Sequence, residues 1–163
     1  MKSRNLFSGL LLVPALAILA MLLPTGSMAQ VNKDLQVIEL TINTKAKTAK
    51  LKAEVAADAN TRTIGLMNRF SLKPDHGMLF VFAQSEPLGF WMKNTFVPLS
   101  IAYLDSTGVI VNIVDMKPQD ESSHPSNGPA QFALEMKQGW FKERGIVAGD
   151  KVGGLDKAGR AKN

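Results

Sequence analysis

The sequence has 163 residues, 45% of them hydrophobic, and carries 19 Lys and Arg against 14 Asp and Glu for a net charge of +5. That is chain enough for one domain burying roughly two-thirds of its unfolded surface. With no cysteine, disulfide frameworks, thiolate metal sites, cysteine nucleophiles and a lipidated N-terminal cysteine are excluded.

Lys2 and Arg4 precede an apolar run from Leu10 to Leu23, and Ser27-Met28-Ala29 stands before Gln30. A positive start, an apolar middle and small residues at the end are the layout of a secretory signal, with cleavage expected between Ala29 and Gln30. The run of 14 residues is short of the roughly 20 needed to span a bilayer. The expectation is a soluble exported protein, periplasmic or extracellular, with no stable membrane anchor after cleavage. Losing Lys2 and Arg4 leaves 17 basic residues against 14 acidic, a balance of +3. The lysines concentrate mildly at Lys45, Lys47, Lys50 and Lys52 with no aromatic residue between them, a solvated strand face and not a nucleic-acid groove.

In the remaining 134 residues, the polar residues of Gln30–Asp34 predict a flexible lead-in over 30–36, and Leu35–Ile42 is rich in β-branched and aliphatic residues. Thr48–Ala56 alternates, with Ala49, Leu51, Ala53 and Val55 on one face and Lys50, Lys52 and Glu54 on the other, which marks a half-buried strand. Asp58 or Asn60 caps a short helix holding Arg62, Ile64, Leu66 and Met67. After the turn Lys73–Gly77, the apolar run Met78–Phe82 predicts a buried strand. Val97–Leu104 and Val109–Val114 flank Asp105-Ser106-Thr107-Gly108 as a hairpin, with Pro98 suited to an edge or strand start. Lys117–Pro129, polar and with three prolines, reads as a long functional or mobile loop. Gln131–Met136 predicts a strand, Trp140–Arg144 a short helix closed near Gly145, and the tail from Gly153 disorder. About seven short strands with little helix predict a mainly β domain with one or two short helices, either a β-sandwich or a partly open barrel.

Four blocks occur in order: Arg62-x-x-Gly65-Leu66-Met67-x-Arg69; Gly77-Met78-Leu79-Phe80-Val81-Phe82; Phe90-Trp91-Met92-Lys93-Asn94-Thr95-x-x-Pro98-Leu99; and Ala133-Leu134-Glu135 with Gly139 and Gly149-Asp150. Together they closely resemble the domain of unknown function 192 family, over about 37–152. The resemblance implies a compact mainly β domain with a short helix and says little about activity. It also implies aspartate after Pro98-Leu99, where this chain has Ser100, so this chain lacks any chemistry that would need a carboxylate there.

Candidate site residues are the polar ones that interrupt apolar segments. Trp91 suits core packing or ligand stacking. Lys93 and Asn94 must face water, pair within a buried network, or hold an anionic or hydroxylated ligand. Period-two alternation puts Glu135 opposite Phe132, Leu134 and Met136, on a face that is either solvent or the floor of a cleft. Arg62 is a partner for Glu135 or a solvated helix residue. His76 and His124 make a weak case for metal, and neither a nucleophile elbow nor a phosphate-binding glycine loop occurs. No cofactor is expected.

These residues predict a binding module for a small polar ligand or envelope component, held by Arg62, Trp91, Lys93, Asn94 and Glu135. The alternatives are a hydrolase or lyase using Glu135 and Lys93, and a structural envelope protein without a ligand. Composition does not set the oligomeric state.

Overall fold

The computed structural model describes residues 30–162, so the expected export signal at 1–29 lies outside the described residues. Seven strands form one curled sheet: β1 Val37–Asn43, β2 Thr48–Ala56, β3 His76–Phe90, β4 Leu99–Leu104, β5 Ile110–Met116, β6 His124–Lys137 and β7 Lys151–Gly153, in the order β5-β4-β6-β3-β2-β1-β7. All neighbours are antiparallel except β2 and β3. The parallel pair is joined through the helix α1 Ala59–Ile64. The sheet's two ends meet at a bridge between Val109 and Lys151, where the Ile110 N–H donates to the Asp150 carbonyl and the Val152 N–H to that of Gly108. Of the two expected architectures this is the partly open barrel, a half-barrel made from a single sheet.

The central strands are buried on both faces, which explains their nearly unbroken apolar sequence. Leu79, Ala102, Leu104, Phe132, Leu134 and Met136 belong to one core. Met78, Phe80, Leu99, Ile101, Tyr103 and Ala133 alternate with them into a second core on the opposite face. Glu135 is therefore aimed into packed protein and not into plain solvent.

Three expectations need correction. The loop Lys117–Pro129 ends at Asp120–Ser123, because β6 already begins at His124 and its first half pairs with the far end of β3, Glu86 with Ala130 and Phe90 with His124. Breaks in register between Val81 and Glu86 and between Pro87 and Gly89 let strands carrying prolines pair there. The tail is ordered: Leu155–Ala158 form a 3-10 helix, Ala158 is buried, and the Lys162 N–H donates to the Ala57 carbonyl. The lead-in is likewise tied down, since buried Asn32 donates to the carbonyls of Thr61 and Gly65 at 2.8 and 3.0 Å and its own carbonyl accepts from Arg69.

Candidate functional site

Short-range chemistry sets α1 in place. Asp58 is its N-cap, accepting the Thr61 N–H at 2.9 Å, while the Thr61 hydroxyl accepts the Asp58 N–H. This reciprocal capping box, with threonine as the third residue, satisfies donors that a six-residue helix would otherwise leave open. The helix stops at Gly65, whose φ of +48° is readily available to glycine and where a Cβ would lie 3.2 Å from the Phe80 ring. Arg69, just beyond, grips Glu54 on β2 with two bonds of 2.5 and 2.7 Å.

The end of α1 and the turn after it form one wall of a cavity of about 360 Å³. Phe80, Phe82, Phe90 and Trp91 form much of the rest, and Glu135 lies at its floor. The aromatic wall is mutually braced: Phe90 meets Phe80 edge-on at 4.8 Å, Phe82 at 6.3 Å and Tyr103 at 5.9 Å between centroids.

Glu135 sits on β6 directly between Met78 of β3 and Ile101 of β4. It is 4% exposed, and no donor among the described residues reaches its carboxyl. Burial without compensation pushes its pKa up to about 8. At neutral pH the group is therefore mostly a carboxylic acid with a proton to donate. Its backbone is fixed by a close approach: a Cβ on Gly77 would come within 2.1 Å of the Glu135 carbonyl oxygen and 2.3 Å of the Met136 sulfur. Burial also raises the Tyr103 pKa, with the Glu135 charge a smaller cause; its hydroxyl donates to the His124 carbonyl.

Arg62 lines the same cavity but makes no ion pair with Glu135. Its Nη1 donates to the carbonyls of Ala57 and Val81 at 2.8 and 3.0 Å, and its guanidinium lies 5.2 Å from the Phe82 ring centre. Trp91 lines the cavity while remaining 49% exposed, so it is a rim residue and not core. Lys93 is exposed outside the lining, with Nζ 5.4 Å from the Trp91 ring centre. Asn94 is exposed at φ +52°, and its carbonyl accepts the Asn68 N–H at 2.7 Å. Its place in the motif has a backbone explanation, since asparagine tolerates the left-handed region. Of the five candidates, then, Arg62, Trp91 and Glu135 share one cavity, Lys93 stacks on its rim, and Asn94 shapes the adjacent turn. Sequence reasoning missed Phe80, Phe82 and Phe90 as site residues, because aromatic residues on a strand read as core. It also missed Gly77, whose only signal was its place beside an apolar run.

Ser100 lies on the face opposite Glu135. Its hydroxyl donates to Asp115 at 2.5 Å and accepts the Gly139 N–H at 3.0 Å, just ahead of the helix α2 Trp140–Glu143. The departure at position 100 thus falls outside the cavity and belongs to the anchoring of α2. Among the described residues no three His, Asp or Glu side chains gather as a metal site would require, and no helix is long and apolar enough to cross a membrane.

Solved structures of the same fold include two that are about one-third identical to this chain. A protein from Sinorhizobium meliloti described as a candidate transcription regulator is 34% identical, with a TM-score of 0.74 over 77% of this chain and 98% of that one. A protein of unknown function from Novosphingobium aromaticivorans is 32% identical, with a TM-score of 0.69 over 72% of this chain and 85% of that one. No curated protein matches the chain. The model of the family described as Uncharacterized ACR matches residues 40–154, and the chain belongs to this domain of unknown function 192 family.

Proposed function

We propose that this protein is an exported small-molecule binding module whose ligand enters the cavity above Glu135 and accepts a hydrogen bond from it. The observation that carries the reading is a carboxyl 4% exposed, without a hydrogen-bond partner among the described residues, at the floor of an aromatic-walled cavity of about 360 Å³. A buried carboxyl with a raised pKa at a cavity is the kind of group that concentrates at functional sites. A purely structural role fits less well, because no side chain among the described residues hydrogen-bonds this carboxyl. Export rests on the layout of Lys2, Arg4, the apolar run and Ala29; fractionation with N-terminal sequencing of the mature chain tests it, and an intact Met1 in the cytoplasm would refute it.

The binding reading is tested by a thermal-shift and NMR screen of small ring-bearing acids, amides, alcohols and amines against wild type, Glu135→Gln and Glu135→Leu. Ligands should bind wild type and the glutamine variant, which keeps a donor, and lose at least tenfold in affinity with leucine. Hits indifferent to the leucine substitution would refute the reading.

The enzyme alternative is favoured by one observation, that burial pushes the Glu135 pKa up to about 8, which suits a general acid near neutrality. Glu135 is the only carboxylate among the described lining residues, which does not suit glycoside hydrolysis by a carboxylate pair. Lys93 is outside the lining, and Arg62 is the cation positioned at the cavity. In an enzyme, Glu135→Gln would bind and not turn over.

A further inference from the structure

We infer that the ligand of this cavity is a compact organic monocarboxylate with a ring-like apolar body, its carboxylate taken by the guanidinium of Arg62. The inference rests on the binding reading above and names the ligand class of the same site.

Arg62 is fixed without being neutralised. The carbonyls of Ala57 and Val81 hold Nη1, and the guanidinium carbon lies over the Phe82 ring at 5.2 Å from its centre. No carboxylate among the described residues forms an ion pair with it, whereas Arg69 pairs with Glu54 and Arg144 with Asp75 and Glu143. A guanidinium presents five N–H donors in a planar fork suited to carboxylates. Nη1 is spent on backbone, and no acceptor among the described residues meets Nε or Nη2. Immobilising the fork in advance reduces the entropy lost when an anion arrives.

Charge balance narrows the class further. Arg62 and Glu135 are the only ionisable side chains among the described lining residues, and burial holds the proton on Glu135 up to about pH 8. The cavity wall therefore carries one positive charge, opposed only from outside the lining by Asp58, whose pKa is lowered mainly by hydrogen bonds from Thr61 and in part by Arg62. A monoanion balances that charge; inorganic phosphate, although largely monoanionic at pH 6.5, has no apolar body to set against the aromatic walls and would be desolvated without compensation. An amine would meet the Arg62 charge with no carboxylate to offset it. The body of the ligand faces Phe80, Phe90 and Trp91, which favour a flat or ring-shaped apolar group.

The test is isothermal titration of the purified protein at pH 6.5 with benzoate, cyclohexanecarboxylate, benzamide, benzylamine and inorganic phosphate, repeated with Arg62→Met and Arg62→Lys. The carboxylates should bind at least tenfold more tightly than benzamide, and benzylamine and phosphate should give no heat. Arg62→Met should weaken benzoate at least tenfold with benzamide unchanged, and Arg62→Lys should recover part of that loss. If Arg62→Met does not fold, the wild-type order of affinities decides alone. Benzamide or benzylamine binding as tightly as benzoate, or silence from both carboxylates at millimolar concentration, overturns the inference. If the tighter amide or amine still depends on Glu135, the binding reading survives; if benzoate shifts resonances away from Phe80 and Phe90 and ignores Glu135→Leu, both fail.

Discussion

Replacing Glu135 by glutamine should flatten the dependence of stability on pH. In the folded protein the carboxyl titrates near 8, against an ordinary value of 4.5. A folded pKa above the unfolded one means that the native state binds the extra proton, so this contribution is complete below about pH 4.5 and is lost as pH rises through about 8. The separation corresponds to about 5 kcal/mol across the window at about 1.4 kcal/mol per unit, with over half of it already gone at pH 7. For a domain of this size, at about 3–4 °C per kcal/mol, that is a relative fall in Tm of about 15 °C between pH 4.5 and 8.5. The other ionisable lining group, Arg62, stays charged throughout, and the buried Tyr103 beside Glu135 is pushed further up. Asp58, Asp105 and Asp120 have lowered values, so their contributions are lost as pH falls through the acid range, outside the window. Calorimetric scans of wild type and Glu135→Gln at half-unit steps from pH 4.5 to 9.5 make the comparison. Tm curves that run parallel across this range would refute a buried neutral acid.

Gly77→Ala forces a Cβ to within 2.1 Å of the Glu135 carbonyl oxygen; a loss of about 3 kcal/mol or more, or failure to fold, is expected in denaturant titration. Ser100→Ala removes the acceptor of the Gly139 N–H and should cost about 1–3 kcal/mol, with ligand responses of the cavity unchanged because the residue is on the other face. Truncation after Gly154 exposes the surface covered by Ala158 and frees the Ala57 carbonyl bonded to Lys162; a lower urea midpoint is expected, and an unchanged one would show that the tail contributes no stability.

Strong local patterns made part of this architecture legible. The alternation of Thr48–Ala56 became β2 with the same bounds, and Gln131–Met136 placed Glu135 opposite Phe132, Leu134 and Met136 correctly. What alternation could not reveal was that the second face is also covered, since that depends on α1 and the segments around Met92 and Val97 folding over it. The first half of β6 was hidden because His124–Pro129 buries few side chains and leaves no hydrophobic period to read. In the site, Glu135 and Arg62 were visible as charges within apolar blocks. Lys93 and Asn94 drew attention for the same reason, yet they serve the rim and the turn. The tail escaped notice because a leucine and an alanine, without an aromatic anchor, are enough to dock it once a groove exists.

The most direct measurement is the carboxyl carbon resonance of Glu135 followed by NMR from pH 4 to 10, assigned by comparison with Glu135→Gln. A midpoint near 8, with the signal of a protonated acid at neutral pH and a change when ligand is added, is the predicted result. A midpoint near 4.5, unmoved by any compound that binds, would contradict the account.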